Sequence, residues 1–371
     1  MRGTVRARTA EETWAVLEPQ LGRYGITRVA DLTGLDCLGI PVWTAIRPGA
    51  VTLSASQGKG ATGRLAAVSA VMEALELWHV EQPLRASWLG TAGEVGAPWP
   101  LTELSCRVRH GGLEAVTLPW AAGTGLIDGG AVPVPVGLVE RRRPRLWEPA
   151  LFRATSTGVA CGNTWAEAVL HGLYEVVERH TLHADEQLGG TARRWFDPGT
   201  VVDSYAGSLI GRITGAGAVL ETAWVVSPYG LPVCLAYLWS EDYPLWFAGS
   251  GCHHDPHVAL ARAVTEAAQS RLTCIAGTRD DLPSREDVFD AVAVRPRPKR
   301  AAARWDDVLV EYTPGPGGTF EEQAGHVAEV VRGVTGWEPV AVDLARPDTA
   351  FAVVKVIAPG ATSRTRRSIP R

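Results

Sequence analysis

Apolar and polar positions alternate along the chain in two periods, and the changes of period mark out its elements. Apolar residues at helical spacing (Trp14, Leu17, Leu21) predict an amphipathic helix over Ala10–Arg23. Val42–Ile46 and Val51–Ser54 read as strands parted by the turn signal Arg47-Pro-Gly. Glycine-rich Gly58–Gly63 leads into a helix over about Leu65–Val80, which Pro83 helps to end. Leu84–Leu146, rich in proline, glycine and short apolar runs, predicts strands and turns. A second long helix is expected over Trp165–Asp185, where Thr164 and Glu167 have capping-box spacing. Val219–Val226 and Leu231–Trp239 read as a hairpin turning at Pro228-Tyr-Gly. A third helix starts at Asp255-Pro256, an N-cap followed by proline, and runs to about Gly277. Then come a surface linker at Arg295–Arg300, a helix over Phe320–Val334, an alternating strand over Phe351–Ile357 and a basic tail, Pro359–Arg371. No repeat of fixed period is found. The order lacks regular βαβ alternation, so the expected class is α+β without a doubly wound sheet, and the length allows two domains or one large one with subdomains.

Composition removes several classes. The 371 residues are 46% hydrophobic and 20% charged, which excludes disorder as the dominant state. No apolar run approaches the roughly 18 residues of a membrane span. Arginines near the N-terminus are followed by no apolar stretch, so a cytoplasmic protein is expected. The net charge of −4 argues against a nucleic-acid partner. The six cysteines, widely scattered without a CxxC pair, read as reduced thiols.

The chemistry lies in three helices. The first carries Ser69, Glu73 and Glu76, and the third Arg262, Glu266 and Gln269, each set at i, i+4, i+7. The second carries Glu167, His171, Glu175, Glu178 and Arg179. These spacings place each set on one helix face. The acids sit among apolar neighbours, as in Val-Ser-Ala-Val-Met-Glu-Ala-Leu-Glu-Leu-Trp. A carboxylate buried in such a helix needs a partner, and Arg179 and Arg262 are too few. A divalent cation balances the sum, and magnesium prefers carboxylate oxygens while holding a phosphate. Solvated helix faces with surface ion pairs give the same pattern, so both readings stand at this level. Ser56-Gln-Gly-Lys-Gly60 lacks Walker A spacing and reads first as a turn before a helix. Cys252, His253, His254 and His257 have the composition of a metal cluster but lack structural-zinc spacing. Cys161, with His171 or His180, has the makings of a nucleophile; a small buried residue ahead of the helix cap is the plainer reading.

Three segments, in order, resemble the signatures of the YcaO family. They are Ser56–Gly60 followed by Ser69–Glu76; Thr157-Gly-Val-Ala-Cys-Gly-Asn163 with Glu167 and Glu175-Val-Val-Glu-Arg179; and Ala261–Arg271. The resemblance spans Ala10 to about Ile357. It implies a single YcaO-like domain with subdomains, its fold one of mixed β-sheets packed with helices that carry an ATP–Mg2+ site. Carried over by position, Glu73, Glu76, Glu175 and Glu178 match magnesium–phosphate ligands, and Glu167 and Glu266 further acidic positions. Asn163, Arg179 and Arg262 match nucleotide- and phosphate-contacting residues, with Ser69 and Gln269 less closely matched. Leu77 and His180 depart from residues common in the family. The chain also ends Ser-Ile-Pro-Arg371 where many azoline formers have a Pro-x-Pro-x-Pro tail.

The resemblance implies ATP-dependent O-phosphorylation of a backbone amide in a ribosomally made precursor peptide. The product is a thioamide, an amidine macrocycle or an azoline, according to the nucleophile. It also implies a separate recruiting partner, TfuA-type or leader-binding, and allows a homodimer. The rival readings are an accessory ATP-binding helper and a metal-dependent hydrolase that needs no ATP.

Overall fold

The computed structural model describes residues 3–363 except 108, 143–149, 203, 280, 282–285, 291, 300–302 and 316. The basic tail beyond 363 and the end of the Arg295–Arg300 linker lie outside the described residues. Thr9 caps α1 (Ala10–Leu17) with a full capping box, and Pro19 turns the rest of that predicted helix into a 3-10 segment, Glu18–Tyr24. Strands β1 (Arg28–Asp31), β2 (Val42–Ile46) and β3 (Ala55–Lys59) form an antiparallel sheet, followed by α2 (Gly63–Val80). After β4 (Trp88–Gly90) come the single turns α3 (Ala92–Val95) and α4 (Val136–Val139), on either side of β5 (Leu118–Gly125) and β6 (Ala131–Pro135). Next are β7 (Val159–Gly162) and α5 (Trp165–Gln187). A further stretch holds β8 (Arg193–Phe196), α6 (Tyr205–Gly215), β9 (Val219–Val225), β10 (Val233–Ser240), β11 (Tyr243–Cys252) and α7 (Pro256–Ala276). The chain then runs through α8 (Trp305–Leu309), α9 (Phe320–Thr335), β12 (Val340–Asp343) and β13 (Ala352–Ile357).

The strands make three sheets, and every pair of named strands is antiparallel: β1-β2-β3; β4-β5-β12-β13-β7 with β6 beside β5; and β11-β10-β9-β8. This is the expected α+β class without a doubly wound sheet. Each sheet ends on a strand that feeds a long helix packed back against it: β3 into α2, β7 into α5 and β11 into α7. Each helix also touches the strand of the next unit, α2 on β7, α5 on β11 and α7 on β3. The three units thus close into a ring.

Close seating of helix on strand depends on residues without side chains. A Cβ at Gly58 would stand 2.0 Å from Ala70 N and 2.3 Å from Ala66 O of α2. One at Gly251 would stand 2.3 Å from Ala259 O of α7. Both glycines lie in strands, so Ser56–Gly60 is not the expected turn. Most of it is β3, and Gly58 serves packing rather than a phosphate cradle.

Other expectations shift as well. Val51–Ser54 is loop, because its backbone N–H groups at Val51 and Thr52 go to Glu81 Oε1 at 3.1 and 2.9 Å instead of a strand. Thr164 accepts from Glu167 N, but the Glu167 carboxylate turns elsewhere, so the expected box is half formed. The expected alternation of Phe351–Ile357 is absent: β13 lies between β12 and β7 and is buried on both faces from Val353 onward. β11 and α6 had no counterpart in the sequence reading.

Candidate functional site

Ring closure brings the three predicted faces together. Counted from the N-caps Thr62, Thr164 and Asp255, the seventh residues are Ser69, His171 and Arg262. The eleventh are Glu73, Glu175 and Glu266, and the fourteenth Glu76, Glu178 and Gln269. With a rise of about 1.5 Å per residue, the polar layer at the seventh position lies roughly 6 Å from the first acidic layer.

Each helix reaches to the next unit. Glu76 of α2 accepts from Cys161 N of β7 at 2.8 Å. Glu178 of α5 accepts from Ser250 Oγ of β11 at 2.6 Å. Glu266 of α7 meets Lys59 Nζ of β3 at 3.1 Å, and Gln269 Nε2 donates to Gln57 O of β3 at 3.2 Å. Within their own units, Glu73 accepts from Gln57 N at 2.7 Å and Glu175 from Gly158 N at 3.0 Å. Arg179 stands 3.6 Å from Glu175, one turn back on α5.

The electrostatics are those of crowded acids. Burial, together with the neighbouring carboxylates Glu175 and Glu73, pushes Glu76 well above the ordinary carboxylate range. Burial also raises Glu73, where Glu175 adds to the effect while the Gln57 N–H, Arg279 and Lys59 oppose it. Glu178 is raised by burial and by Glu266. Burial would raise Glu266 too, but Lys59, Arg179 and Arg262 outweigh it and hold this carboxyl low. Burial, with Arg6, Arg262 and His253 nearby, drives His171 well below its usual value, so its ring is neutral.

Four buried nitrogens around this space have no hydrogen-bond partner: Arg179 Nε, Arg262 Nε, His171 Nε2 and Gln57 Nε2. These four are donors free to meet an acceptor, and they share one region with the carboxylates. Among the described residues no three His, Cys, Asp or Glu side chains converge tightly enough to hold a bare metal ion. A magnesium ion shared between these carboxylates and phosphate oxygens fits both facts, because magnesium keeps water and phosphate among its ligands. Glu73, Glu76, Glu175 and Glu178, on the ring faces of α2 and α5, are the carboxylates that could share it. The same phosphate oxygens would satisfy the waiting donors.

Glu167 and Asn163 lie together beside the ring and are already engaged. Fully buried Glu167 accepts from Arg6 Nη1 at 3.2 Å, Ala7 N at 3.2 Å, Asn163 N at 3.1 Å and Asn163 Nδ2 at 3.2 Å. Asn163 Oδ1 takes Thr13 Oγ1 at 2.9 Å. The pair therefore straps the N-terminal segment and α1 to the start of α5.

Sequence reasoning missed Arg6, whose partner lies 161 residues away; no local pattern marks such a contact. It also left Lys59 in a presumed turn, and it noted His171 on the helix face without taking it into the site. The shared i, i+4, i+7 spacing was the signal available for His171.

The other candidates are accounted for elsewhere. His253 Nδ1 takes Asp255 N at 2.9 Å, and His254 Nδ1 bonds Tyr174 Oη at 2.5 Å. His180 bonds the Tyr229 hydroxyl. Burial and Glu76 push the Cys161 thiol well up, and its side chain belongs to a hydrophobic cluster. It is a core residue and not an activated nucleophile.

Together these features define an α+β protein whose three helices hold a carboxylate-rich, arginine-flanked site suited to a magnesium–polyphosphate. The family model described as YcaO cyclodehydratase, ATP- and Mg2+-binding, matches residues 57–362. An uncharacterized Mycobacterium tuberculosis protein is 40% identical over 368 residues, covering 96% of this chain and 82% of the relative. An uncharacterized protein in the tfuA 3′ region of Rhizobium leguminosarum bv. trifolii is 35% identical over 390 residues, covering 96% of this chain and 88% of the relative. The chain belongs to the YcaO family. Among solved structures, YcaO from Methanopyrus kandleri bound with AMPPCP and Mg2+ matches with a TM-score of 0.74 at 23% identity, over 100% of this chain and 98% of that one. A heterocyclase in complex with substrate and cofactor matches with a TM-score of 0.76 at 21% identity, over 96% of this chain and 53% of that one.

Proposed function

We propose that this protein activates a backbone amide of a precursor peptide by ATP-dependent O-phosphorylation, as one step in peptide modification. The observation that carries the reading is the closed ring: Glu73, Glu76, Glu175 and Glu178 face one space with Arg179 and Arg262, whose Nε atoms have no acceptor. Family membership and the AMPPCP- and Mg2+-bound fold relative support it.

When bound, Mg–ATP supplies the phosphoryl group that turns a poorly leaving amide oxygen into phosphate. The protein's part is positioning and charge. The four glutamates orient the cation, and each carboxylate is held in place by its own donor. Arg179 and Arg262 neutralise phosphate oxygens. Neutral His171 and Ser69 complete the polar layer.

The nucleophile that adds to the amide decides whether a thioamide, an amidine or an azoline forms. The relative in the tfuA 3′ region supports a TfuA-type partner for recruiting peptide or nucleophile.

Calorimetric titration of the purified protein with ATP, with and without magnesium, tests the nucleotide site. Magnesium-dependent binding is expected. Failure to bind, alone and with the partner protein present, refutes the reading. Turnover of a peptide without ATP would establish a hydrolase instead.

A further inference from the structure

The ring makes the three helices equivalent position by position, and one position is occupied by a residue to which the motifs had given no role in the site. At the eleventh and fourteenth positions after the caps, each helix presents a carboxylate or, once, an amide. At the seventh it presents the hydroxyl of Ser69, the imidazole of His171 and the guanidinium of Arg262. Ser69 and Arg262 were assigned to the nucleotide site. His171 stands in the same layer on α5, one turn before Glu175.

Three observations associate it with the ring. Its Nε2 is buried without a hydrogen-bond partner, a state it shares with Nε2 of His79 in the core at the end of α2, so its position on the ring face is what gives that nitrogen a ligand to meet. Cationic Arg6 and Arg262 act on it from the N-terminal segment and from α7, with His253 beyond. Arg262 Nε, in the same layer, is also buried without an acceptor. A layer of hydrogen-bond donors with unfilled valences, about one helical turn from a layer of carboxylates, has the chemistry of a polyphosphate seat above a magnesium seat.

We propose that His171 is a phosphate-contacting residue of this site, its Nε2–H donating to an oxygen of the bound polyphosphate. The inference rests on the reading of the ring as a nucleotide site and goes beyond it by naming a contact. A neutral imidazole suits the place. Between two guanidiniums a third cation would be repelled, while a neutral N–H adds a directed hydrogen bond without that cost.

The test uses the full-length protein with AMPPCP plus Mg2+, ADP plus Mg2+ and adenosine as calorimetric probes. His171→Leu removes the donor, and His171→Gln returns an N–H of similar reach. The Leu variant is expected to bind both phosphorylated probes about tenfold more weakly, the loss of one directed hydrogen bond, with adenosine unchanged. The Gln variant is expected within threefold of the parent. In the parent, the NMR signal of the His171 Nε2, assigned by its absence from His171→Gln, is expected to move when AMPPCP and Mg2+ are added. Unchanged affinity in the Leu variant overturns the proposal. So does equal loss in both variants with lowered melting temperature, and so does an unmoved Nε2 signal in a parent saturated with AMPPCP. A parent that binds none of the probes overturns the nucleotide-site reading itself, a distinct result.

Discussion

Replacing Gly58 by alanine tests the ring at one of its seats. The new Cβ would stand 2.0 Å from Ala70 N, 2.3 Å from Ala66 O and 2.6 Å from Ser69 C, all backbone atoms of α2. Ordinary contact begins near 3.4 Å, so α2 must retreat from β3 by about 1.4 Å if nothing else yields. Overpacking costs roughly 1–3 kcal/mol where side chains can adjust, and here only backbone is met, so about 3 kcal/mol is expected. At an unfolding entropy near 2.1 cal/mol/K per residue, a chain of 371 residues loses about 4 °C in Tm. The functional loss should be larger. α2 carries Ser69, Glu73 and Glu76, and a displacement of about 1 Å, which costs a reaction about a hundredfold in rate, should weaken Mg–ATP binding measurably as well. The assays are a thermal melt and calorimetric titration with Mg–ATP. Gly49→Ala is the control, because a Cβ there meets nothing within 4 Å; it should stay within about 0.5 kcal/mol of the parent. A Gly58→Ala protein that melts within about 1 °C of the parent and binds Mg–ATP equally well would refute the described seating of α2.

Glu76→Gln and Glu178→Gln should each weaken Mg–ATP binding at least about tenfold, or 1.4 kcal/mol, without lowering Tm. The amide oxygen still accepts from Cys161 N or Ser250 Oγ, while a crowded buried charge is removed; parent-like affinity in either variant would sink the ligand assignment. The pH dependence of the nucleotide-free protein follows from the same groups. Glu73, Glu76 and Glu178 titrate above their ordinary 4.5, so the folded form binds more protons than the unfolded chain just above that pH. Stability therefore falls as pH rises from 4.5 through the folded values, and Glu76→Gln should flatten that slope; an identical Tm–pH curve for parent and variant would contradict it. Lys355, buried and donating to Thr155 O and Thr157 O, is lowered to about 7, so it adds a rise in stability with pH between about 7 and 10.5. Arg6→Ala leaves Glu167 without its ion-pair partner and should cost about 1–2 kcal/mol by urea denaturation, moderated because Arg6 is partly exposed; a loss under about 0.3 kcal/mol would show that the N-terminal strap is not anchored there.

Helices carrying one polar face were legible because their period is local. The bounds of α2, α5, α7 and α9 were expected within about two residues; Thr164, Asp255 and Gly277 marked α5 and α7, while Thr62 and Thr319, which cap α2 and α9, were not read as caps. Strands were read less well. β3 looks like a turn because glycine usually marks one, yet Gly58 is there for the contact with α2. α6 has glycines at 207, 211 and 215, which weaken its helical signal, and it is held by burial of Leu209, Ile210 and Ile213 against the third sheet's cluster. β13 was taken as one-sided because alternation assumes a solvent face, and its position between β12 and β7 supplies none. Of the site, the acids were legible from their apolar company. The order in which helices hand contacts to strands was not, since it depends on pairs such as Glu76 with Cys161 and Lys59 with Glu266, which are far apart in sequence.

The ring also explains why no repeat was found by period. The three units are separated by stretches of unequal length and content, one containing β4 to β6 and another β8 to β10, so a fixed spacing does not register them. What recurs is the offset from the N-cap, because that offset sets both the height and the direction of a side chain on its helix. Each unit needs a glycine or small residue four positions before the cap, Gly58, Ala160 or Gly251, to let strand and helix meet. Each then offers its seventh, eleventh and fourteenth residues to the centre. The units differ there in charge. α2 and α5 keep acids at both lower positions, whereas α7 has Glu266 and Gln269 with Arg262 above them. A symmetric ring of six acids would repel itself with no cation bound. Substituting one acid by an amide, pairing another with Lys59, and adding Arg179 and Arg262 at the flank leaves a residual deficit of positive charge, and a divalent cation escorting a phosphate can fill it.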